Sequence, residues 1–359
     1  MLIFIVIATV LLILLHNNIY KKFWCKNLFY DTKFSSNEGF EGEYYFLEET
    51  ILNNKILPLS ILQVRIKEPL GLRFEDVSHD KKINPYLYSI YHAKSFFTAK
   101  KYKKFYCERR GLYRLRKAEI TANNLVFSKV YNKNIDINED FLVFPKPLDD
   151  LNDFNDLLNH IESQIMSKSF INPDPFEFYG VREYVPTDML KHVNFKATAI
   201  TQKLMVNIYR PTDNIIVDII LNFCTNNNNG EKIVALYEHC IRLCATFANY
   251  FIGKNINVGL ISNGKDDRTC EPIYLSGGAS EAHLYKIYEC LARLNYNYNL
   301  DSISKCIDSN CINNHFYLVI SSDVDDELTN TFFPALGFGK DFRQNNVYIF
   351  CCCHSKVGV

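Results

Sequence analysis

What this chain lacks narrows its chemistry before anything it contains. It has no net charge, with 40 Lys and Arg against 40 Asp and Glu, so the molecule as a whole exerts no pull on nucleic acid or acidic substrates. Recognition through charge must be local. No Gly-rich phosphate loop of the G-x-x-x-x-G-K-S/T type occurs, so ATP hydrolysis would have to come from a partner. A compact cysteine framework is missing too. The 12 cysteines are scattered from Cys25 to Cys353, unlike the staples of small secreted domains, and fit reduced thiols in the cytosol. No local signature ties any of them to His239, His283, His315 or His354 as a nucleophile and base. Cys240 and Cys244 share an apolar helical face and read as small core residues. The tail Cys351-Cys352-Cys353-His354 lacks a second ligand pair at finger spacing.

Charge is also absent from the N-terminus. Met1 to Leu15 is apolar apart from Thr9, and Lys21, Lys22, Trp24 and Lys26 follow. Extended to Tyr20, this run makes a helix of about 30 Å, enough for a hydrocarbon core. A signal peptide would carry positive charge ahead of the apolar run and a small-x-small cleavage site after it, and neither is present. Residues 1–20 are therefore expected to be a single-pass anchor, with the bulk of the chain on the cytoplasmic side by the positive-inside tendency.

The 48% hydrophobic content of 359 residues suffices for two cores. Over 37–148 short alternating segments recur, such as Leu62 to Lys67, Tyr86 to Tyr91, Phe96 to Tyr106, Tyr113 to Ile120 and Leu125 to Tyr131. They predict a β-rich domain, an antiparallel sandwich. Over 149–206 comes a linking helix, with Leu151, Phe154, Leu157, Leu158, Ile161 and Ile165 at helical spacing, and then a segment considered below. Over 207–359 the texture becomes strand, helix, strand, helix, strand. Ile215 to Phe223, Val258 to Ile261, Phe316 to Ser321 and Val347 to Phe350 are apolar strands, and Glu231 to Ile252 and the stretch capped by Ser280 are helices. That alternation predicts a parallel sheet covered on both faces.

Gly180-Val-Arg182-Glu-Tyr184-Val-Pro186-Thr187-Asp188-Met-Leu-Lys191-His-Val193-Asn194-Phe195-Lys196-Ala197-Thr198-Ala199 resembles the signature of the domain of unknown function 58 family, G-x-R-x-Y-x-P-G-D-x-x-R-x-I-x-W-K-x-x-A-R. Thr187, Lys191, Val193, Phe195 and Ile200 replace the family's Gly, second Arg, Ile, Trp and final Arg. Arg109-Arg110-Gly111-Leu112-Tyr113-Arg114-Leu115 is similar to its R-R-G-x-Y-x-L turn, and Asn257 to Ile261 and Leu291 to Leu294 also fit. The resemblance runs from about Asn37 to the C-terminus. It implies an α/β fold, a von Willebrand factor A-like doubly wound sheet preceded by an antiparallel β-sandwich-like domain and an N-terminal transmembrane helix. As partner it implies a MoxR-type AAA+ ATPase. Members usually carry two membrane spans where this chain shows one, so either a span is missing from this start site or the anchor is single.

A von Willebrand A domain binds Mg²⁺ through D-x-S-x-S after its first strand and an acidic residue from a later loop, and hard cations need oxygen ligands. Here those positions are Asn222, Cys224 and Asn226, with Asp323 as the later acid, a degenerate set that predicts no metal and no cofactor. A Mg-dependent binding module using Asp323, Thr225 and Asn222 is the alternative, and a thiol enzyme a third. The signature residues Gly180, Arg182, Tyr184, Pro186, Asp188, Lys191, Phe195 and Lys196 are the candidate partner-docking segment. Pro186-Thr187-Asp188 reads as a helix start, and Arg182 is placed to pair with Asp188 or Glu183. An internal brace is the plainer reading of the same residues. The basic run Lys100 to Lys104 reads as a solvated strand end or a contact for anionic headgroups. A tethered, non-enzymatic interaction scaffold is the function these features predict, with no role for nucleic acid.

Overall fold

The computed structural model describes residues 2–75, 85–124, 129–171, 173–186, 188–211, 215–223, 230–296, 315–322 and 347–351. The chain divides into two compact units, Met1–Lys146 with Tyr288–Leu294, and Pro147–Ile287 with Asn295–Val359.

The first unit begins with α1 (Leu2–Phe23), whose segment Ile3–Phe23 is long and apolar enough to cross a membrane, at a mean hydropathy of 2.1. Nine strands follow, β1 (Leu28–Phe34), β2 (Glu38–Phe40), β3 (Tyr44–Asn53), β4 (Leu59–Lys67), β5 (Leu72–Phe74), β6 (Tyr86–Ala93), β7 (Phe97–Cys107), β8 (Gly111–Asn123) and β9 (Val130–Phe144). They form one sheet in the order β1-β3-β7-β5 and another in the order β2-β9-β8-β4-β6. All pairings are antiparallel except β2 with β9. Strand alternation supplies the core, because every second residue of β1 and β6 is buried. Leu47, Ile51, Leu62, Val64, Phe105, Ile120 and Phe141 lie in one cluster. The sandwich starts earlier than residue 37, since β1 already belongs to it.

Two residues of α1 and its end, Tyr20 and Trp24, join that cluster. Tyr20 donates its hydroxyl to the carbonyl of Asn123 at 2.8 Å, and Asn124 donates its amide to Asn17 at 2.6 Å. Trp24 stacks on Tyr131. Helix and sandwich are thus one packed body. At Gly71 the backbone has φ +110°, and a Cβ would meet the hydroxyl of Tyr113 at 2.2 Å, so only glycine fits.

The second unit opens with α2 (Asn155–Ile171), followed by β10 (Pro173–Glu183), α3 (Phe195–Thr201) and β11 (Met205–Pro211). β10 and β11 form a two-stranded antiparallel sheet. Next come β12 (Ile216–Asn222), α4 (Gly230–Gly253), β13 (Asn257–Asp266), β14 (Pro272–Gly278), α5 (Glu281–Arg293), the two-residue β15 (Leu294–Asn295), β16 (His315–Ser321) and β17 (Val347–Cys351). Here the main sheet runs β14-β13-β12-β16-β17, parallel except at β14. α4 packs on β12, β13 and β16, with Cys240, Ile241, Cys244, Phe247, Ala248 and Phe251 fully buried. α2 lies against α4, where Phe154 meets Phe247 edge to face and Glu162 pairs with Lys254 at 3.2 Å.

The expected fold class, α/β with a von Willebrand factor A-like doubly wound sheet preceded by an antiparallel β-sandwich-like domain and a transmembrane helix, is corrected by this architecture. The chain is mostly β, 48% strand against 29% helix, with sandwich-like sheets. The physical reason is that alternation fills the first unit with strands. Within the second, β10, β11 and β14 add antiparallel strands that the expected pattern did not include.

Candidate functional site

The signature segment folds as a hairpin with a short helical insert. β10 and β11 pair Arg182 with Val206 and Gly180 with Ile208. Between them Asp188 organises the turn. Its carboxylate takes both guanidinium nitrogens of Arg182 at 2.6 Å and the backbone N–H of Val185 at 2.8 Å. A bidentate fork with a third donor favours the carboxylate form. The Asp188 carboxyl is accordingly held below its usual range, by Arg182 first, and the Arg182 guanidinium is raised by the same bond. Glu183 pairs instead with Lys203.

The helix expected at Pro186-Thr187-Asp188 starts later. Thr187 lies outside the described residues, and Asp188 sits in a turn before a single 3₁₀ turn, Leu190–His192. α3 begins at Phe195, where Asn194 caps it by accepting from the N–H of Ala197 at 2.9 Å. Asp188 spends its oxygens on Arg182 and Val185, so the cap passes to Asn194, an equally good capping residue.

Of the signature residues, Arg182, Pro186, Lys191, Phe195 and Lys196 are exposed, whereas Gly180, Tyr184 and Asp188 are partly covered. Neither the 3₁₀ turn nor α3 has a buried residue. Phe195 is 79% exposed, Ile200 74% and Leu190 71%, and Phe178, Tyr179 and Met189 are exposed as well. These apolar side chains all lie on the hairpin and its insert, between residues 178 and 200. Of these, Phe195 is a docking candidate from sequence and Ile200 only a departure from the family pattern. Hydrophobicity alone does not reveal which of these faces is left uncovered.

At the C-terminal ends of β12, β13 and β16 lies a buried polar network. Asn222 donates its amide to the hydroxyl of Ser321 at 3.2 Å and accepts from the amide of Asn263 at 3.1 Å. Asn263 also closes a pair with the backbone of Phe223, accepting from its N–H at 2.9 Å and donating to its carbonyl at 3.0 Å. Ser262 donates to the carbonyl of Leu221. The Asn222 side chain thus bridges the ends of β13 and β16 through Asn263 and Ser321. Cys224, Thr225, Asn226 and Asp323 lie outside the described residues, as do Cys352, Cys353 and His354. Asn263 and Ser321 went unread in sequence. The signal was a polar residue ending a buried apolar strand.

The basic run is spoken for. Lys100 pairs with Glu48 at 2.6 Å, Lys104 with Glu75 at 2.9 Å, and Lys103 with Glu49 at 3.4 Å inside the sandwich. Lys101 donates to the carbonyl of Ile90. Headgroup contact would have to break these. In the first unit Arg110, part of the R-R-G turn, is buried and donates to the carbonyls of Leu291 at 2.5 Å and Leu294 at 2.9 Å. Leu291 lies in the last turn of α5 and Leu294 just beyond it, both in the stretch Tyr288–Leu294 that belongs to the first unit, and carbonyls at a helix end lack partners within the helix. Burial pushes the thiol of Cys107 up to about 12 and raises that of Cys244 as well, the opposite of what a reactive thiolate needs.

No family model matches the sequence, and no curated protein matches it. Among solved structures, the chain is similar over short stretches to the CARDB domain of a Pyrococcus furiosus protein in complex with two metal ions, at 12% identity and a TM-score of 0.20, covering 32% of this chain and 91% of that one. A non-cellulosomal cohesin from Archaeoglobus fulgidus gives 15% identity and 0.21, covering 30% and 90%. A type I cohesin from Pseudobacteroides cellulosolvens gives 9% identity and 0.22, covering 34% and 96%. Scores this low carry no inference about function.

Proposed function

We propose that the chain is a membrane-tethered, non-enzymatic scaffold that binds a partner protein through the apolar surface of the β10–β11 hairpin and α3. The observation that carries this reading is the exposure of Phe195, Leu190 and Ile200 on an element that buries none of its own residues. The Arg182–Asp188 fork fixes the turn that presents them, which lowers the ordering cost of docking. Its chemistry suits a partner with an apolar groove rimmed by acidic groups facing Lys191 and Lys196.

α1 supplies the tether, and Lys21, Lys22 and Lys26 after the apolar run put the remainder on the cytoplasmic side. The resemblance to the domain of unknown function 58 family supplies the partner class, a MoxR-type AAA+ ATPase, for which this chain is adaptor or client. No cofactor, nucleic acid or bond chemistry has a part in it.

The test is affinity capture of the full chain from native membranes, beside a Leu190→Ser, Phe195→Ser variant. The expected result is an ATPase recovered in stoichiometric amount by the parent and reduced at least about tenfold by the variant, since two anchors are each worth roughly 1–2 kcal/mol. Recovery of no stoichiometric protein, or equal recovery by both chains, overturns the reading.

A further inference from the structure

A cavity of about 640 Å³ opens where the end of α1 meets the sandwich. Ile19 and Phe23 of the helix, Lys26 just beyond it, Lys55 and Ile56 between β3 and β4, and Phe96 between β6 and β7 line it. The hairpin surface does not involve it.

Its walls are held by specific bonds. Asn53, fully buried, donates its amide to the carbonyls of Lys94 at 2.8 Å and Leu57 at 3.1 Å, tying the two loops together. Lys55 donates its ammonium to the carbonyl of Trp24, and Phe96 donates its N–H to the carbonyl of Lys55 at 3.2 Å. Phe96 sits at φ 52°, a left-handed conformation that a bulky residue adopts only when its surroundings enforce it. The result is a ring turned outward, 64% exposed, beside Ile56 at 79%. Two large apolar side chains at neighbouring loop tips, next to an apolar helix, are wasted in water.

The helix sets the depth at which they lie. Asn17 and Tyr20 are buried against the sandwich, and the apolar segment that ends there, Ile3–Phe23, is 21 residues long, about 32 Å as a helix. A bilayer core is about 30 Å thick. Lys21 and Lys22 in the last turn of α1 set that end of the span at headgroup level, which puts Ile19, Phe23, Ile56 and Phe96 at the boundary between acyl chains and headgroups. Lys26 and Lys55 then stand at the height of the phosphates.

Resting on the reading of α1 as a membrane span, we propose that this cavity binds one anionic glycerophospholipid from the bilayer, an acyl chain along Ile19, Phe23 and Ile56 and the phosphate between Lys26 and Lys55. Charge and shape agree with that occupant. The cavity is apolar on the helix side and cationic at its rim, the polarity of a phospholipid at the interface. Burial lowers Lys55 to about 8, and an anionic phosphate beside it favours the charged form.

Trp24, the single tryptophan, adjoins the cavity and reports on it. The full chain is reconstituted in phosphatidylcholine vesicles in which a minor fraction of lipid has brominated acyl chains, on either phosphatidylglycerol or phosphatidylcholine. Brominated phosphatidylglycerol is expected to quench Trp24 at least about twofold more, since each lysine near the surface favours an anionic lipid by about fivefold. Lys26→Gln with Lys55→Gln is expected to abolish the excess, and Lys26→Gln alone, which disturbs no loop bond, to reduce it. Equal quenching by the two lipids, or an excess that survives the double substitution, overturns the lipid site and leaves the anchor standing. Quenching by neither overturns the membrane span and the site with it.

Discussion

Glu49 and Lys103 meet inside the sandwich, both almost fully buried. Taking two ions out of water costs several kcal/mol for each, and only well-placed partners offset that. Glu49 has them, since Ser89 and Tyr91 donate their hydroxyls to one carboxylate oxygen and Lys103 faces the other. Burial first, and then the Glu49 charge, raise the hydroxyls of Tyr30 and Tyr91 far above their ordinary value, so both stay neutral. Lys103→Met leaves a buried carboxylate short of its counter-ion and is expected to lower unfolding stability by about 3 kcal/mol or more. Adding Glu49→Leu is expected to recover most of the loss. Urea unfolding of the three chains measures both, and a double variant as unstable as the single one would refute the assignment of the cost to an uncompensated charge. In the sequence Lys103 is one of four lysines on a solvated strand. Its inward direction was nonetheless legible, because Phe105 and Cys107 fix the phase of β7 and Lys103 shares it. Reading the run by charge instead of by period hid this.

At the scale of elements, alternation served well in the first unit. The segments read as strands around Leu62, Tyr86 and Tyr113 correspond to β4, β6 and β8, while residues 125–128 of a further expected strand lie outside the described residues. Period-3.6 patterns likewise located α2 and α4, and Ser280 does cap α5 by accepting from the N–H of His283 at 3.1 Å. β10 and β11 were not legible, since they have no partner sheet to impose a one-sided pattern and carry apolar residues toward solvent. The start of α3 turned on a competition that sequence does not rank. Asp188 and Asn194 are both good caps, and the nearby Arg182 decides by engaging Asp188. Asn194→Ala is therefore expected to cost about 1 kcal/mol locally. A seven-residue helix has little else to hold it, so amides of Ala197 to Thr201 should exchange with solvent several-fold faster, while those of β12 and β13 stay protected. Unchanged exchange in α3 would show that Asn194 does not cap it.

Across the whole molecule, the sequence divided an anchor from the domain that follows it, and the structure joins them. An apolar run reads as a detachable helix, yet its last turns carry aromatic residues that complete a core, and nothing local distinguishes Tyr20 facing a sandwich from Tyr20 facing a membrane surface. The fold class went astray for a related reason. Continuous apolar strands and two strong helices in the second half dominated the reading, while the antiparallel strands of the first unit, with β10, β11 and β14, make up much of the chain. The packed junction has a consequence for any soluble fragment. Removing Met1 to Leu15 leaves Tyr20 and Trp24 in the core cluster, and the first unit should unfold at the urea midpoint of the full chain in detergent. Removing Met1 to Lys26 strips both rings, along with the hydrogen bonds of Asn17 and Tyr20. That shorter fragment should lose at least about 3 kcal/mol, the usual cost of deleting one large buried aromatic. Equal midpoints for the two fragments would mean that the helix end only leans on the sandwich. A large difference makes the end of α1 part of the folded domain, so that force or tilt in the membrane reaches the sandwich without a flexible joint between them.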